Sequence, residues 1–174
     1  YMMFFNQILK PFAESIQKYG EKNAFCIDGV NYTYSQFVER ISAIRMVIRE
    51  AEMDEPIWGL ALHDDLNTYA SIFALWMEGK AYVPFHPSWP EERIKSVKQQ
   101  VGCSNVLDAC DAPFVEINMD NWIEVSDDEL AYILFTSGST GVPKGVPLIA
   151  TARLNFKSPI VKFAAQTPIL HAKR

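Results

Sequence analysis

Between Ile57 and Leu107 short apolar runs alternate with helical stretches, and this alternation leaves few architectures open. Ile57-Trp-Gly-Leu-Ala-Leu62 has the length and composition of a buried strand. Asp64 or Asp65 can cap a following helix whose inner face holds Tyr69, Ile72, Phe73 and Trp76, and Gly79 ends it. Ala81-Tyr-Val-Pro84 is the next strand. Ser88, with Glu91 three residues on and Pro90 in the first turn, opens a helix through Val97 to Val101, and Asn105-Val-Leu107 is a third strand. Strands alternating with helices at these short spacings are the pattern of a parallel sheet, whose strands need crossover connections. The expected class is α/β, a parallel-rich sheet with crossover helices.

The flanks fit the same frame. Phe5, Ile8, Leu9, Phe12 and Ile16 recur at helical steps up to Gly20. Ala24 to Thr33 reads as a hairpin, with Asp28-Gly29 able to supply the positive backbone angles of a tight turn. Thr33 and Gln36 have capping-box spacing ahead of the stripe Phe37, Ile41, Ile44 and Ile48, so a helix should run to about Ala51. After a polar stretch from Asp108 to Glu129, Leu130-Ala-Tyr-Ile-Leu-Phe135 is an apolar strand that runs directly into a glycine-rich segment.

That segment, Thr136-Ser-Gly-Ser-Thr-Gly-Val-Pro-Lys-Gly145, carries the chemistry. Gly138, Gly141 and Gly145 allow sharp turns and close approach of backbone to a ligand. Thr136, Ser137, Ser139 and Thr140 supply hydroxyl donors, and free backbone N–H groups add an anion-binding concavity. Pro143 stiffens the turn, and Lys144 brings a mobile positive charge suited to phosphate. A plain Gly/Ser linker would not follow directly on an apolar strand. Gly138 and Gly141 lie three apart and Gly145 follows Lys144, which is not the Walker A spacing, so a P-loop NTPase is disfavoured.

Tyr132 to Val146 resembles the phosphate-loop signature of the adenylate-forming, or AMP-binding, superfamily, which includes acyl-CoA synthetases, luciferases and the adenylation domains of nonribosomal peptide synthetases. Trp76 to Ile94 is similar to a second block, typical of amino-acid-adenylating members, with His86 standing where those usually have Asp. Asn31 to Phe37 resembles the approach to their first long helix. The resemblance implies that residues 1–147 are the front part of the large N-terminal domain, ending in the phosphate loop. Residues 148–174 are then expected to be a truncated or discontinuous tail, because Ser158-Pro159 and Thr167-Pro168 interrupt any helical pattern.

The implied reaction is ATP-dependent activation of a carboxylic acid, foremost an amino acid, as an acyl-adenylate. Transfer follows to the thiol of a phosphopantetheinyl carrier protein or of coenzyme A. Nonribosomal peptide synthetase domains and D-alanine–carrier-protein ligase are the nearest patterns, and an acyl- or aryl-CoA ligase is the rival enzyme. A non-catalytic nucleotide-binding fragment is the rival from another class. By the same resemblance Thr136, Ser137, Gly138, Ser139, Thr140, Gly141 and Lys144 hold the β- and γ-phosphates, with Lys144 as the catalytic residue, and ATP and Mg²⁺ are the implied cofactors. The family's adenine, ribose and metal contacts lie downstream of the loop, so this chain alone is expected to be inactive.

The remaining features weigh against other functions. Up to Glu129 there are 10 Lys and Arg against 21 Asp and Glu, and from Leu130 onward six basic residues and no acid. The basic residues near the end are scattered without interleaved aromatics, so nucleic acid is not an expected partner. No apolar run reaches the roughly 18–20 residues of a membrane span, and no membrane partner is expected. Cys26, Cys103 and Cys110 are irregularly spaced and there are three histidines, so no zinc pattern exists; free thiols fit a cytoplasmic protein. His63 and His86 are expected to be hydrogen-bonded structural residues, Asp127-Asp-Glu129 a solvated turn, and Trp58, Phe73, Trp76, Tyr82 and Trp89 packing residues.

Overall fold

The computed structural model describes residues 4–51, 54–108, 112, 123, 130–136 and 143–149. In chain order the elements are α1 (Phe4–Tyr19), β1 (Asn23–Ile27), β2 (Val30–Thr33), α2 (Tyr34–Glu50), β3 (Ile57–Ala61), α3 (Leu66–Met77), β4 (Ala81–Phe85), α4 (Glu91–Val101), β5 (Val106–Leu107), β6 (Leu130–Thr136) and β7 (Lys144–Ile149). β1 and β2 form the expected hairpin, and its turn puts Asp28 at φ 50° and Gly29 at φ 79°. The other five strands form one sheet in the order β5-β3-β4-β6-β7. β5, β3, β4 and β6 are parallel, and β7 runs antiparallel to β6. The α/β class and the parallel-rich sheet with crossover helices are therefore as the alternation requires.

Helices cover the two sheet faces with different packing. On one face Trp58 and Leu60 of β3 and Leu107 of β5 meet Leu66, Ala70, Ala74 and Leu75 of α3 and Phe37, Ile41, Ile44 and Ile48 of α2 in one core. On the other face Val83 and Phe85 of β4 and Ile133 of β6 pack on Val97 of α4 and on Cys103. The alternation of β4 side chains, buried at Ala81, Val83 and Phe85, is the period of two that a strand between two layers shows.

Local signals account for most helix boundaries. The capping box at Thr33 forms: Gln36 N–H donates to Thr33 Oγ1 at 3.2 Å, and Thr33 N–H donates to Gln36 Oε1 at 2.9 Å. Asp65 rather than Asp64 caps α3, accepting from Thr68 N–H at 2.8 Å. Gly102 closes α4 in the left-handed conformation at φ 69°.

Three expectations change. Ser88 does not cap α4: Pro90 occupies the cap position with no side-chain bond, and the Ser88 hydroxyl pairs instead with His86 Nδ1 at 2.7 Å. The inner face of α3 centres elsewhere than on Tyr69, Ile72 and Phe73, which are only half-buried against the core. Leu66, Thr68, Ala70, Ser71, Ala74, Leu75 and Met77 are buried along with Trp76, because α3 packs against α2 on one side and β3 and β4 on the other. Finally, Lys144–Ile149 is a strand where the sequence reading places the end of a loop. It crosses position 147, and residues 150–174 lie outside the described residues.

Candidate functional site

The glycine-rich segment leaves the C-terminal end of β6, flanked by β4 on one side and β7 on the other. This is the edge at which open α/β sheets place ligands, since loops there sit above strand ends and meet helix N-termini. β6 reaches the edge because Ala131 and Ile133 bury their side chains in the molecule while Thr136 emerges exposed. The chain then returns as antiparallel β7, in regular register from Thr136 opposite Lys144 and Phe135 opposite Gly145 as far as Tyr132 opposite Leu148, with an irregularity between Tyr132 and Leu130.

Of the sequence-derived site residues, the structure places two, Thr136 and Lys144, and brings them together. They face each other across the first rung of the ladder, at the two ends of the segment 137–143. Both are exposed, so a hydroxyl and an ammonium are free to meet a ligand from solvent. Pro143, half-buried, precedes Lys144. Ser137, Gly138, Ser139, Thr140 and Gly141 lie outside the described residues.

On the sheet face opposite to the Thr136 side chain, Phe135 and Trp89 pack onto the cluster of Val83, Phe85, Val97 and Ile133. Trp89 also carries the Arg93 guanidinium 4.1 Å above its ring, a cation–π contact that ties the start of α4 to this cluster. Phe135 is the residue that sequence reasoning missed. It was legible only as one more apolar strand position, whereas its ring lies against Gly145 across the ladder.

The other chemistry-bearing side chains are held in local structure. His86 accepts from Ser88 N–H through Nδ1 at 3.1 Å, which puts the proton of a neutral ring on Nε2. His63 Nε2 lies 3.3 Å from Asp108 Oδ1, and its backbone N–H donates to Thr68 Oγ1. Burial pushes the Cys103 thiol up, away from thiolate chemistry. Trp58 and Trp76 are buried in the α2/α3 core, with Phe73 and Tyr82 packed against it. Burial raises Tyr82, which stacks on Tyr132 at 5.5 Å. Cys110 and Asp127 to Glu129 lie outside the described residues. Among the described residues no helix is long and apolar enough to cross a membrane.

Comparison with known proteins identifies the family. Gramicidin S synthase 2 of Brevibacillus brevis is 28% identical over 162 residues, 81% of this chain and 4% of that protein. Tyrocidine synthase 3 of Brevibacillus parabrevis is 29% identical over 157 residues, 78% of this chain and 2% of that protein. The N-terminal subdomain of Klebsiella oxytoca NpsA, solved in complex with 3-hydroxyanthranilyl-AMSN, superposes with a TM-score of 0.67 at 25% identity, over 82% of this chain and 40% of that one. The nonribosomal peptide synthetase FmoA3 shares the fold at a TM-score of 0.69 and 19% identity, over 86% of this chain and 17% of that one. The chain thus spans a small part of its curated relatives and less than half of the NpsA subdomain. The family model for AMP-binding enzymes matches residues 12–126 and 119–164, through both sheet faces and the glycine-rich loop, and the chain belongs to the AMP-binding enzyme family.

Proposed function

We propose that this chain supplies the phosphate-binding part of an adenylate-forming ligase that activates an amino acid and passes it to a carrier-protein thiol. The observation that carries this reading is the Thr136–Lys144 rung at the C-terminal edge of a parallel sheet, closing a loop of glycines and hydroxyls. A hydroxyl and an ammonium on facing strands converge on one anion, and glycine-lined backbone N–H groups between them add donors without bulk. The step this supports is attack of a substrate carboxylate oxygen on the α-phosphorus of ATP. An acyl–phosphate bond forms, and the bond to pyrophosphate breaks. In it Thr136, Ser137, Ser139 and Thr140 orient the β- and γ-phosphates through hydrogen bonds. Lys144 offsets the charge that builds on departing pyrophosphate.

Among the described residues no group of three His, Cys, Asp or Glu side chains could hold a metal ion. Mg²⁺ belongs to this proposal as the counter-ion of the ATP phosphates. The peptide-synthase relatives support an amino acid as the acid and a phosphopantetheinyl carrier as the acceptor. The 3-hydroxyanthranilyl group in the NpsA complex supports an aryl acid as the second reading.

ATP–pyrophosphate exchange by the complete polypeptide, run across amino acids and aryl and fatty acids, separates these readings. Lys144→Ala is expected to lower exchange by about a hundredfold, the usual effect of removing one group that meets developing charge. Exchange that is unchanged by Lys144→Ala would defeat the assignment.

A further inference from the structure

Gly145 closes the glycine-rich segment, but its backbone does not need a glycine. Gly29, Gly79 and Gly102 take positive φ, and Gly145 does not. It lies inside β7, an extended position that any residue can adopt. The demand for glycine is spatial. A β-carbon on Gly145 would come within 2.9 Å of Phe135 Cζ, 3.1 Å of Ile133 Cγ2 and 3.3 Å of Phe135 Cε1. The first of these is closer than real β-carbon contacts come, and the other two are tight.

Nor can the Phe135 ring swing away cheaply, because it packs on the cluster of Val83, Phe85, Val97 and Ile133 beneath α4. The same device recurs in the sheet: a β-carbon on Gly59 would fall 2.3 Å from Phe85 Cε2. Phe85 and Phe135, on the adjacent strands β4 and β6, thus each lean onto a glycine of the strand flanking that pair.

From this geometry we propose that Gly145 is a positioning residue of the phosphate loop. It is bare so that the Phe135 ring can lie on its α-carbon, locking the register that sets Lys144 opposite Thr136. The inference rests on the ATP reading above for its functional consequence and on packing alone for its structural one. A side chain at 145 must displace the ring or part the strands, and either moves the neighbouring Lys144.

Two measurements on the complete polypeptide test it: pyrophosphate-exchange kinetics, and hydrogen–deuterium exchange across 130–149. Gly145→Ala is expected to raise KM for ATP about tenfold, leave KM for the carboxylic acid within about twofold, and speed amide exchange in β6 and β7. Phe135→Leu removes the two ring atoms that reach Gly145, and leaves only the Ile133 Cγ2 contact, which a shift of a few tenths of an ångström relieves. In that background the alanine is expected to be tolerated, with KM for ATP and amide protection returning to within about threefold of the Phe135→Leu parent. Wild-type kinetics and protection in Gly145→Ala would overturn the proposal, as would a double variant no better than Gly145→Ala. If the wild-type protein shows no pyrophosphate exchange with any acid, the ATP reading falls, and amide protection of the same variants still decides the register claim.

Discussion

Glu78 caps the C-terminal end of α3, where the helix macrodipole disfavours a carboxylate. Two guanidiniums offset this. Arg45 Nε donates to Glu78 Oε1 at 2.6 Å, Arg49 Nη2 reaches Oε1 and Arg49 Nε donates to Oε2, both at 2.9 Å. The Arg45 and Glu78 side chains are 3% and 7% exposed, so the pair is screened little by solvent. Removing one partner of a buried pair leaves the other charge desolvated, so Glu78→Ala is expected to cost about 3 kcal/mol. A fall in the urea midpoint at unchanged slope would show it, and a midpoint within error of wild type would contradict it. In the sequence Glu78-Gly79 reads only as the end of a helix. Its partners lie 33 and 29 residues upstream, and no local pattern connects them. Gly145 teaches the same lesson from the other side: the residue was legible as important, and the reason, a ring across the ladder, was not.

At the scale of elements, β5 is two residues long and has one strand neighbour, so it needs help to stay in the sheet. Glu55, just ahead of β3, provides it. Its Oε2 accepts from Ser104 N–H at 3.0 Å, Asn105 N–H at 3.3 Å and Asn105 Nδ2 at 3.0 Å, and Asn105 O accepts from Gly59 N–H at 2.8 Å. The Ser104 hydroxyl and then the Ser104 N–H hold the Glu55 carboxyl below its ordinary value of 4.5. Because folding lowers this pKa, the clip contributes fully above 4.5 and is lost as pH falls through the lowered folded value. Amide protection at 104–107 is therefore expected to drop selectively in acid, and Glu55→Gln to weaken it already at neutral pH and flatten its acid dependence. Equal protection in both proteins across the acid range would refute the clip. The helices and strands themselves were legible, because capping at Thr33 and Asp65 and the apolar periods act over a few residues. β7 was not. Gly145 and Pro147 weaken its strand pattern, and its formation depends on pairing with β6.

For the molecule as a whole, α2 and α3 on one face and α4 on the other hold a sheet at whose edge Thr136 and Lys144 lie opposite each other. The matched NpsA subdomain is covered to 40%, so more than half of that subdomain has no counterpart in the matched residues. The 174-residue chain on its own is expected to fold without catalysing pyrophosphate exchange, and acid-dependent exchange by the purified chain would overturn that expectation. By itself the sequence determined the α/β class and most element boundaries, and it singled out Thr136 to Lys144 as the candidate phosphate-binding segment. Each rests on spacing, capping or side-chain chemistry within one turn or one loop. Tertiary structure alone decided the burial of α3 on two sides, the β6–β7 ladder that sets Lys144 opposite Thr136, and the ring that keeps Gly145 bare. The physical reason is distance along the chain: these features arise where residues from separate elements compete for the same space, and only the folded packing settles which atoms meet.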